Sequence, residues 1–214
     1  GESGVAMINV VESTSQNQII VISGANKHTQ ATQVSDSALS DIEILVSQME
    51  IPSQEIEKLF IRASEKNCYR ILNVAPAIEL SANLFSQTDL FVVNEIELEF
   101  LAKKQIRSAD LDSIKDCIDS LSLKQHQSVV VTLGSRGVYV NQNYQSEFIE
   151  SHKVNAIDTT GSGDCFIGAL ASALLDKHNL FESAIFANKA AALSVTKKGA
   201  ATSMPTSKEV LSFR

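Results

Sequence analysis

Apolar residues along the chain form short runs that alternate with longer segments of helical periodicity. Near the start, two β-branched runs flank the polar segment STSQN, which predicts an antiparallel pair of strands. From Ser37 onward, strand-like runs are each followed by helix-like segments. The predicted strands cover 4–11, 18–22, 42–49, 69–74, 89–93, 129–133, 138–140 and a stretch near 147–154. The predicted helices cover 53–66, 79–86, 95–103, 109–124, the Ala-rich part of 158–176, and 181–196.

This alternation predicts the fold class. Strands that are apolar throughout and alternate with helices are typical of a parallel sheet covered on both faces. We therefore predict an α/β fold with a Rossmann-like, predominantly parallel sheet flanked by helices. A small β appendage is expected in residues 1–25, and the main α/β domain in residues 26–214.

Composition and charge limit the kinds of molecule that this protein is expected to bind. The chain has 214 residues, 44% of them hydrophobic and 20% charged, with a formal net charge of −7 at pH 7. An acidic surface is a poor match for polyanions, so we expect no nucleic acid partner. No apolar run reaches about 18 residues, so we expect no membrane partner. Cys68, Cys117 and Cys165 lack C-x-x-C spacing, which predicts reduced thiols and a cytoplasmic protein.

The segment DTTGSGDCF at 158–166 is the most informative stretch for chemistry. Its two glycines lie just before a predicted apolar helix, where free backbone amides and the helix dipole favour a phosphate group. We therefore predict an anion hole formed by Gly161, Ser162 and Gly163. A carboxylate in the same turn, Asp164, would repel an anion unless it serves as a proton acceptor. The alternative is that Asp164 only caps the helix and the glycines only form a turn.

Two common phosphate-binding motifs do not account for this loop. The pattern G-x-x-x-x-G-K-[ST] is absent, and G-x-G-x-x-G fails because Phe166 stands where the third glycine belongs. The segment instead resembles the D-T-x-G-A-G-D signature of the PfkB family of sugar kinases, with Ser162 in place of the usual Ala. Further stretches that resemble this family are SQMEIP (47–52), NVAPA (73–77), VNEIELE (93–99), VTLGSRGVYV (131–140) and VTKKGAATSMP (195–205).

The resemblance implies an activity and its cofactors. It implies a kinase that transfers the γ-phosphoryl group of MgATP to the 5-hydroxyl of D-ribose, with Asp164 as the base and also in contact with sugar and nucleotide. Residues 26–214 would then be the nucleotide-binding and catalytic domain, and residues 1–25 part of a β lid. The implied cofactors are ATP, Mg²⁺ and a monovalent cation, usually K⁺.

The resemblance also assigns nucleotide and magnesium contacts. Asn94 and Glu97 fall on the family's N-x-x-E motif and would organise Mg²⁺ and phosphate through water, although the same pair fits a helix capping box. The ATP molecule would lie along Thr132, Leu133, Gly134, Ser135, Arg136 and Gly137, as well as Gly163, with Asn188 on its other side. Read without the resemblance, 134–137 is only a β-turn and Asn188 a surface residue of a helix.

Two further groups of residues follow from the resemblance. The implied ligands of the monovalent cation are Asp158, Thr160, Ser194, Lys197, Gly199 and Ser203. Several would contribute backbone carbonyls, as Lys197 must, because its ammonium group cannot bind a cation. Glu50 would face the sugar and phosphate, although a solvated carboxylate at a strand end is the alternative.

Some features of the family pattern do not occur in this sequence. The Gly-Gly-x-Asn pattern and the early Asp that hold the sugar are missing, so about ninety residues of that pattern are expected to precede residue 1. The lid would pair two subunits of the full-length protein into a homodimer. Two other functions remain open: another kinase of the family, such as a fructokinase or adenosine kinase, and a non-catalytic nucleotide-binding homologue.

Overall fold

The computed structural model describes residues 1–11, 16–107 and 110–213. The strands are β1 Val5–Val11, β2 Gln16–Ile22, β3 Ile44–Gln48, β4 Tyr69–Asn73, β5 Leu90–Asn94, β6 Ser128–Thr132, β7 Gly137–Gln142 and β8 Gln145–Glu150. The helices are α1 Asp36–Ser40, α2 Ser53–Ser64, α3 Ala82–Gln87, α4 Glu95–Ala102, α5 Leu111–Ser120, α6 Ser162–Leu175, α7 Leu180–Ser194 and α8 Ser207–Ser212.

The strands form two sheets, and their arrangement confirms the predicted α/β class. Strands β1 and β2 pair antiparallel, as their sequence predicts. The larger sheet has the order β3-β4-β5-β6-β7-β8, in which β3 to β6 are parallel and β7 pairs antiparallel with both β6 and β8. The turn predicted at 13–17 overlaps residues 12–15, which lie outside the described residues.

Helices cover both faces of the larger sheet because its strands are apolar on both faces. On one face, Phe60 of α2 and Ile114 of α5 pack with Leu72 of β4. On the other face, Phe166 and Leu170 of α6 pack on alternate residues of the same strands, together with helix α7. Helix α6 therefore lies against the sheet, and its N-terminus follows the loop at 151–161.

The reversal between β6 and β7 depends on a glycine. Gly137 has φ +127°, and a Cβ atom there would lie 2.0 Å from the carbonyl oxygen of Ile149. Only glycine fits this backbone position, so the GSRG sequence correctly predicts a tight turn. The predicted strand at 147–154 ends earlier, at Glu150, where the amide of Ser151 donates to the carbonyl of Arg136.

The C-terminal region contains structure that the sequence pattern did not predict. Residues 201–203 form a 3₁₀ turn within the predicted loop, and the short helix α8 follows. Helix α8 begins with a capping box between Thr206 and Glu209, which replaces the backbone partners that a helix start lacks. Among the described residues, no helix is both long and apolar enough to cross a membrane.

Candidate active site

The loop before α6 leaves backbone amides without partners. Gly161 is the N-cap of α6 and adopts a left-handed conformation with φ +75°. The amide of Ser162 donates to the carbonyl of Thr159, whereas the amides of Gly161, Gly163 and Asp164 have no backbone acceptor in the described part of the chain. Free amides at a helix N-terminus attract anions. This loop can therefore hold a phosphate group.

Gly163 keeps the space above this helix start open. A Cβ atom placed on Gly163 would have no heavy atom within 4 Å. The next residues, Cys165 and Phe166, are buried and anchor the first turn of α6 in the protein core. The helix start is thus packed against the core while its outer side remains accessible to a ligand.

Asp164 carries an unpaired carboxylate at this helix start. It lies in the first turn of α6, is exposed, and accepts no hydrogen bond from the described residues. The N-cap position belongs to Gly161, and no side chain of the described residues caps α6. The capping alternative therefore has no support in the structure, and Asp164 lines the smaller of two cavities at this helix start.

Two cavities meet at the N-terminus of α6. The larger has a volume of about 460 Å³ and the smaller about 220 Å³. Residues that line both are Thr132, Thr159, Ser162 and Gly163. The larger cavity is also lined by Gly134, Ser135, Gly137 and Asn188, and the smaller by Asn73, Asn94, Glu97, Gly161 and Asp164. Most of the site residues predicted from sequence therefore come together in one place.

Asn94 and Glu97 form a capping box in the smaller cavity. The side chain of Asn94 accepts from the amide of Glu97 at 2.9 Å, and Glu97 accepts from the amide of Asn94 at 2.8 Å. The Asn94 side-chain amide also donates to Glu97 at 2.9 Å. Burial raises the pKa of Glu97, and the hydrogen bond from the Asn94 amide opposes this effect. The cap and the site coexist, because both residues still line the cavity.

The turn at 134–137 forms one wall of the larger cavity. Gly134 has φ +58°, and no atom lies within 4 Å of the position that a Cβ atom would occupy there. Leu133 is buried, and the Arg136 guanidinium pairs with Glu95 at the start of α4. Neither side chain lines the two cavities. Arg136 therefore fixes the position of this turn relative to α4.

Asn188 also lines the larger cavity. It is buried in α7, and its side-chain amide donates to the carbonyl of Glu150 at 2.8 Å. This bond connects α7 to the end of β8. The sequence around Asn188 contains no local pattern that predicts burial. Without the family resemblance, Asn188 is expected to be an exposed residue of a helix.

Asp158 connects the loop before α6 to the segment after α7. Its carboxylate accepts from the amide of Thr160 at 3.0 Å and from the amide of Gly199 at 2.9 Å. The Thr160 hydroxyl and the Gly199 amide hold the pKa of Asp158 down at about 2. Three of the predicted cation ligands are thereby brought together.

The other predicted ligands differ in their surroundings. The hydroxyls of Ser194 and Ser203 donate to backbone carbonyls one turn earlier, and the Lys197 ammonium pairs with Glu209. Lys197 could bind a cation only through its backbone carbonyl, whereas the two serines could use a carbonyl or a lone pair of the hydroxyl oxygen. Glu50 follows the edge strand β3, is exposed, and lines neither cavity.

The low pKa of Asp158 predicts how its contribution to stability depends on pH. Because the folded pKa of about 2 lies below the ordinary value of 3.8, the carboxylate stabilises the fold above pH 3.8. That contribution is lost as the pH falls through the folded value. We expect Asp158→Asn to lower the Tm at neutral pH, and the difference from wild type to shrink below about pH 4.

Thermal melts of both proteins across this pH range test the expectation. Asp41→Asn is a matched control, because Asp41 is exposed and its carboxylate bonds to no other described residue. A Tm difference for Asp158→Asn that stays constant down to about pH 2.5 would contradict the assigned bonds.

Comparison with known proteins identifies the class to which this fold and site belong. The sequence pattern described as pfkB family carbohydrate kinase matches residues 1–207. The chain therefore belongs to the pfkB family of carbohydrate kinases.

Within that family, the chain is similar to ribokinases. It is 38% identical to the ribokinase of Haemophilus influenzae over 99% of this chain and 69% of that protein. The crystal structure of a ribokinase from Thermotoga maritima matches with a TM-score of 0.82 and 33% identity, covering 97% of this chain and 68% of that one. The structure of Arabidopsis thaliana ribokinase complexed with ribose and ATP matches with a TM-score of 0.84 and 27% identity, with coverages of 97% and 68%.

Asn73 is among the residues of the site that sequence reasoning missed, as is Thr159. Asn73 ends strand β4 and lines the smaller cavity, yet the sequence motifs assigned it no role. A signal was present, because an amide residue that ends an apolar strand of a parallel sheet lies at the edge where such sheets bind ligands.

Proposed function

We propose that this protein is an ATP-dependent kinase that transfers the γ-phosphoryl group of ATP to the 5-hydroxyl of D-ribose. The single observation that carries the proposal is the unpaired carboxylate of Asp164 beside free amides, where the two cavities meet. The similarity to ribokinases, one of them solved with ribose and ATP, supports the choice of substrates.

The larger cavity suits the nucleoside part of ATP. Its volume of about 460 Å³ lies within the range of pockets that hold small ligands. Ala191, Ala192 and Val195 supply apolar surface for a flat base. Asn188 positions this wall through its bond to the Glu150 carbonyl.

The phosphate groups would extend from the larger cavity to the start of α6. The free amides of Gly161, Gly163 and Asp164 would donate to oxygens of the transferred phosphoryl group, where negative charge is concentrated during transfer. The Ser162 amide is already bonded to Thr159, so Ser162 contributes through its position on the shared wall rather than through that amide.

Asp164 would act as the base. Its carboxylate takes the proton of the sugar hydroxyl as the hydroxyl oxygen forms a bond to the γ-phosphorus. The bond between the γ-phosphorus and the oxygen bridging to the β-phosphate breaks, and ADP leaves with that electron pair. The reaction needs no other proton acceptor.

The donor atoms in the smaller cavity fit Mg²⁺. Asn94 and Glu97 present side-chain oxygens, and the described residues contain no cluster of three or more acidic, His or Cys side chains that would form a complete metal cage. Magnesium is commonly bound by few protein oxygens, by water and by phosphates. When bound, Mg²⁺ neutralises charge on the phosphates, and Asn94 and Glu97 would orient its water ligands.

The loop around Asp158 also presents oxygen atoms that could bind a monovalent cation. The carboxylate of Asp158 and the carbonyls of Thr160, Ser194, Lys197, Gly199 and Ser203 are the proposed oxygen donors. Among the described residues the carboxylate of Asp158 is hydrogen-bonded by neutral groups and forms no ion pair, and Lys198 adds only a smaller electrostatic attraction. A cation such as K⁺ would add the missing positive charge and order the loop that precedes the anion hole.

A substrate panel tests the proposal. We expect ADP release in a coupled assay to depend on D-ribose, and to exceed the rates with D-fructose, 2-deoxy-D-ribose and adenosine by at least about tenfold in kcat/KM. A higher rate with one of the other acceptors would assign a different kinase of the family. ATP binding without release of ADP for any acceptor would indicate a non-catalytic homologue.

A further inference from the structure

We propose that Asn73 is a positioning residue that accepts a hydrogen bond from a Mg²⁺-bound water through its side-chain oxygen. The inference rests on the proposed function, because it requires nucleotide phosphates and Mg²⁺ in the smaller cavity. It adds a third side chain to Asn94 and Glu97, from a different strand.

The sheet places Asn73 on the correct face. Residues two apart in a strand share a face, and Ile71 packs on the side of the sheet that α6 covers. Asn73 therefore lies on that side, at the carboxyl end of β4. Asn94 and Thr132 are the last residues of the next two strands. Each lies two residues after a valine, Val92 or Val130, that packs on the side covered by α6, so both lie on that side as well.

The three strand ends form a row beneath the start of α6. Strand β4 pairs with β5, with Asn73 opposite Val92, and β5 pairs with β6, with Asn94 opposite Thr132. All three polar side chains line the smaller cavity together with Asp164. Three neighbouring strands thus present polar groups to the same space.

A hydrogen bond fixes the orientation of the Asn73 amide. Its Nδ2 atom donates to the carbonyl oxygen of Val92 at 3.1 Å. A carbonyl can only accept, so the nitrogen must face Val92 and the oxygen Oδ1 must face another direction. No described residue donates to Oδ1, although Asn73 is partly buried.

The neighbouring side chains are already occupied by each other. Both oxygens of Glu97 and both polar atoms of the Asn94 side chain take part in the capping box. Each of these oxygens has only one lone pair left for a ligand. The Oδ1 atom of Asn73 still has both of its lone pairs. It can therefore accept a hydrogen bond from one of the water molecules that Mg²⁺ retains.

The test compares two substitutions at Asn73 by the effect of Mg²⁺ on ADP binding. Isothermal titration gives the Kd of ADP with EDTA and with Mg²⁺, and the ratio of the two values measures coupling to the metal. We expect Asn73→Leu, which has no acceptor, to reduce this ratio about tenfold, in the range typical of residues that orient metal ligands. We expect Asn73→Asp, which keeps an acceptor but cannot donate to Val92, to retain the ratio within about threefold.

The outcomes separate the role of Asn73 from the proposed function. A wild-type ratio near one overturns the role of Asn73, because no metal then accompanies ADP, whereas the proposed function stands or falls separately with ribose-dependent ADP release in the coupled assay. A normal wild-type ratio that Asn73→Leu leaves unchanged overturns only the role of Asn73. Equal loss in the Leu and Asp variants also overturns it, since the bond to Val92 would then be the only contribution. Asn73→Ala serves in place of the Leu variant if thermal melts show that the latter does not fold.

Discussion

Asp164→Asn should lower kcat for ribose-dependent ADP release by about 10²–10⁴-fold, with KM for ATP changed less than about threefold. The substitution keeps the shape of the side chain but removes its negative charge and its ability to take a proton. The Asp164 carboxylate accepts no hydrogen bond from the described residues, so no protein contact is lost. Loss of a negative charge in the first turn of α6 should cost at most about 1 kcal/mol of stability.

Asp176→Asn is the matched control for this experiment. Asp176 is the C-cap residue of the same helix, is exposed, and its carboxylate bonds to no other described residue. The control removes an equal charge from α6 at the end far from the cavities. Activity of Asp164→Asn within about threefold of the control would rule out Asp164 as the base.

Gly163→Val should reduce kcat/KM for ATP by more than about 10²-fold, because displacement of a reacting group by about 1 Å can cost that much. Gly163 has ordinary helical geometry, and its Cβ position is free of protein atoms. A Cβ atom can therefore be added at this position without a clash. The added methyl groups would fill the space that we assign to the transferred phosphoryl group.

Gly168→Val controls for the effect of valine on helix α6. Gly168 lies five residues further along the same helix, is exposed, and also has no atom within 4 Å of its Cβ position. Both substitutions place valine at an exposed glycine of α6, so neither should lower the Tm by loss of core packing. If Gly163→Val retained the activity of Gly168→Val, phosphate would not bind above Gly163.

Much of the fold follows from local patterns in the sequence. The five-residue apolar strand β6 and the GSRG turn after it were predictable, because strand periodicity and glycine conformations are local properties. The same holds for the glycine-rich loop that opens α6. The order of the strands and the antiparallel edge depend on pairing between distant segments, which periodicity does not encode.

Some details of the site could not be predicted from the sequence, because they depend on contacts between residues far apart in the chain. Asn73 is oriented by the carbonyl of Val92, 19 residues away, and Arg136 by Glu95, 41 residues away. Whether Asp164 caps its helix was open because a shift of the helix start by a few residues decides it. The structure places the N-cap at Gly161 and the helix start at Ser162, and no described residue bonds to the Asp164 carboxylate.

The most direct test of phosphoryl transfer is ³¹P NMR of the protein with MgATP and D-ribose. We expect the γ-phosphate resonance of ATP to be replaced by that of a phosphomonoester, split by coupling to the two protons on C5 of the sugar. ADP and this product should appear in equal amounts, with no orthophosphate. Orthophosphate in place of the sugar phosphate, or an ATP spectrum that D-ribose leaves unchanged, would contradict a kinase that acts on ribose.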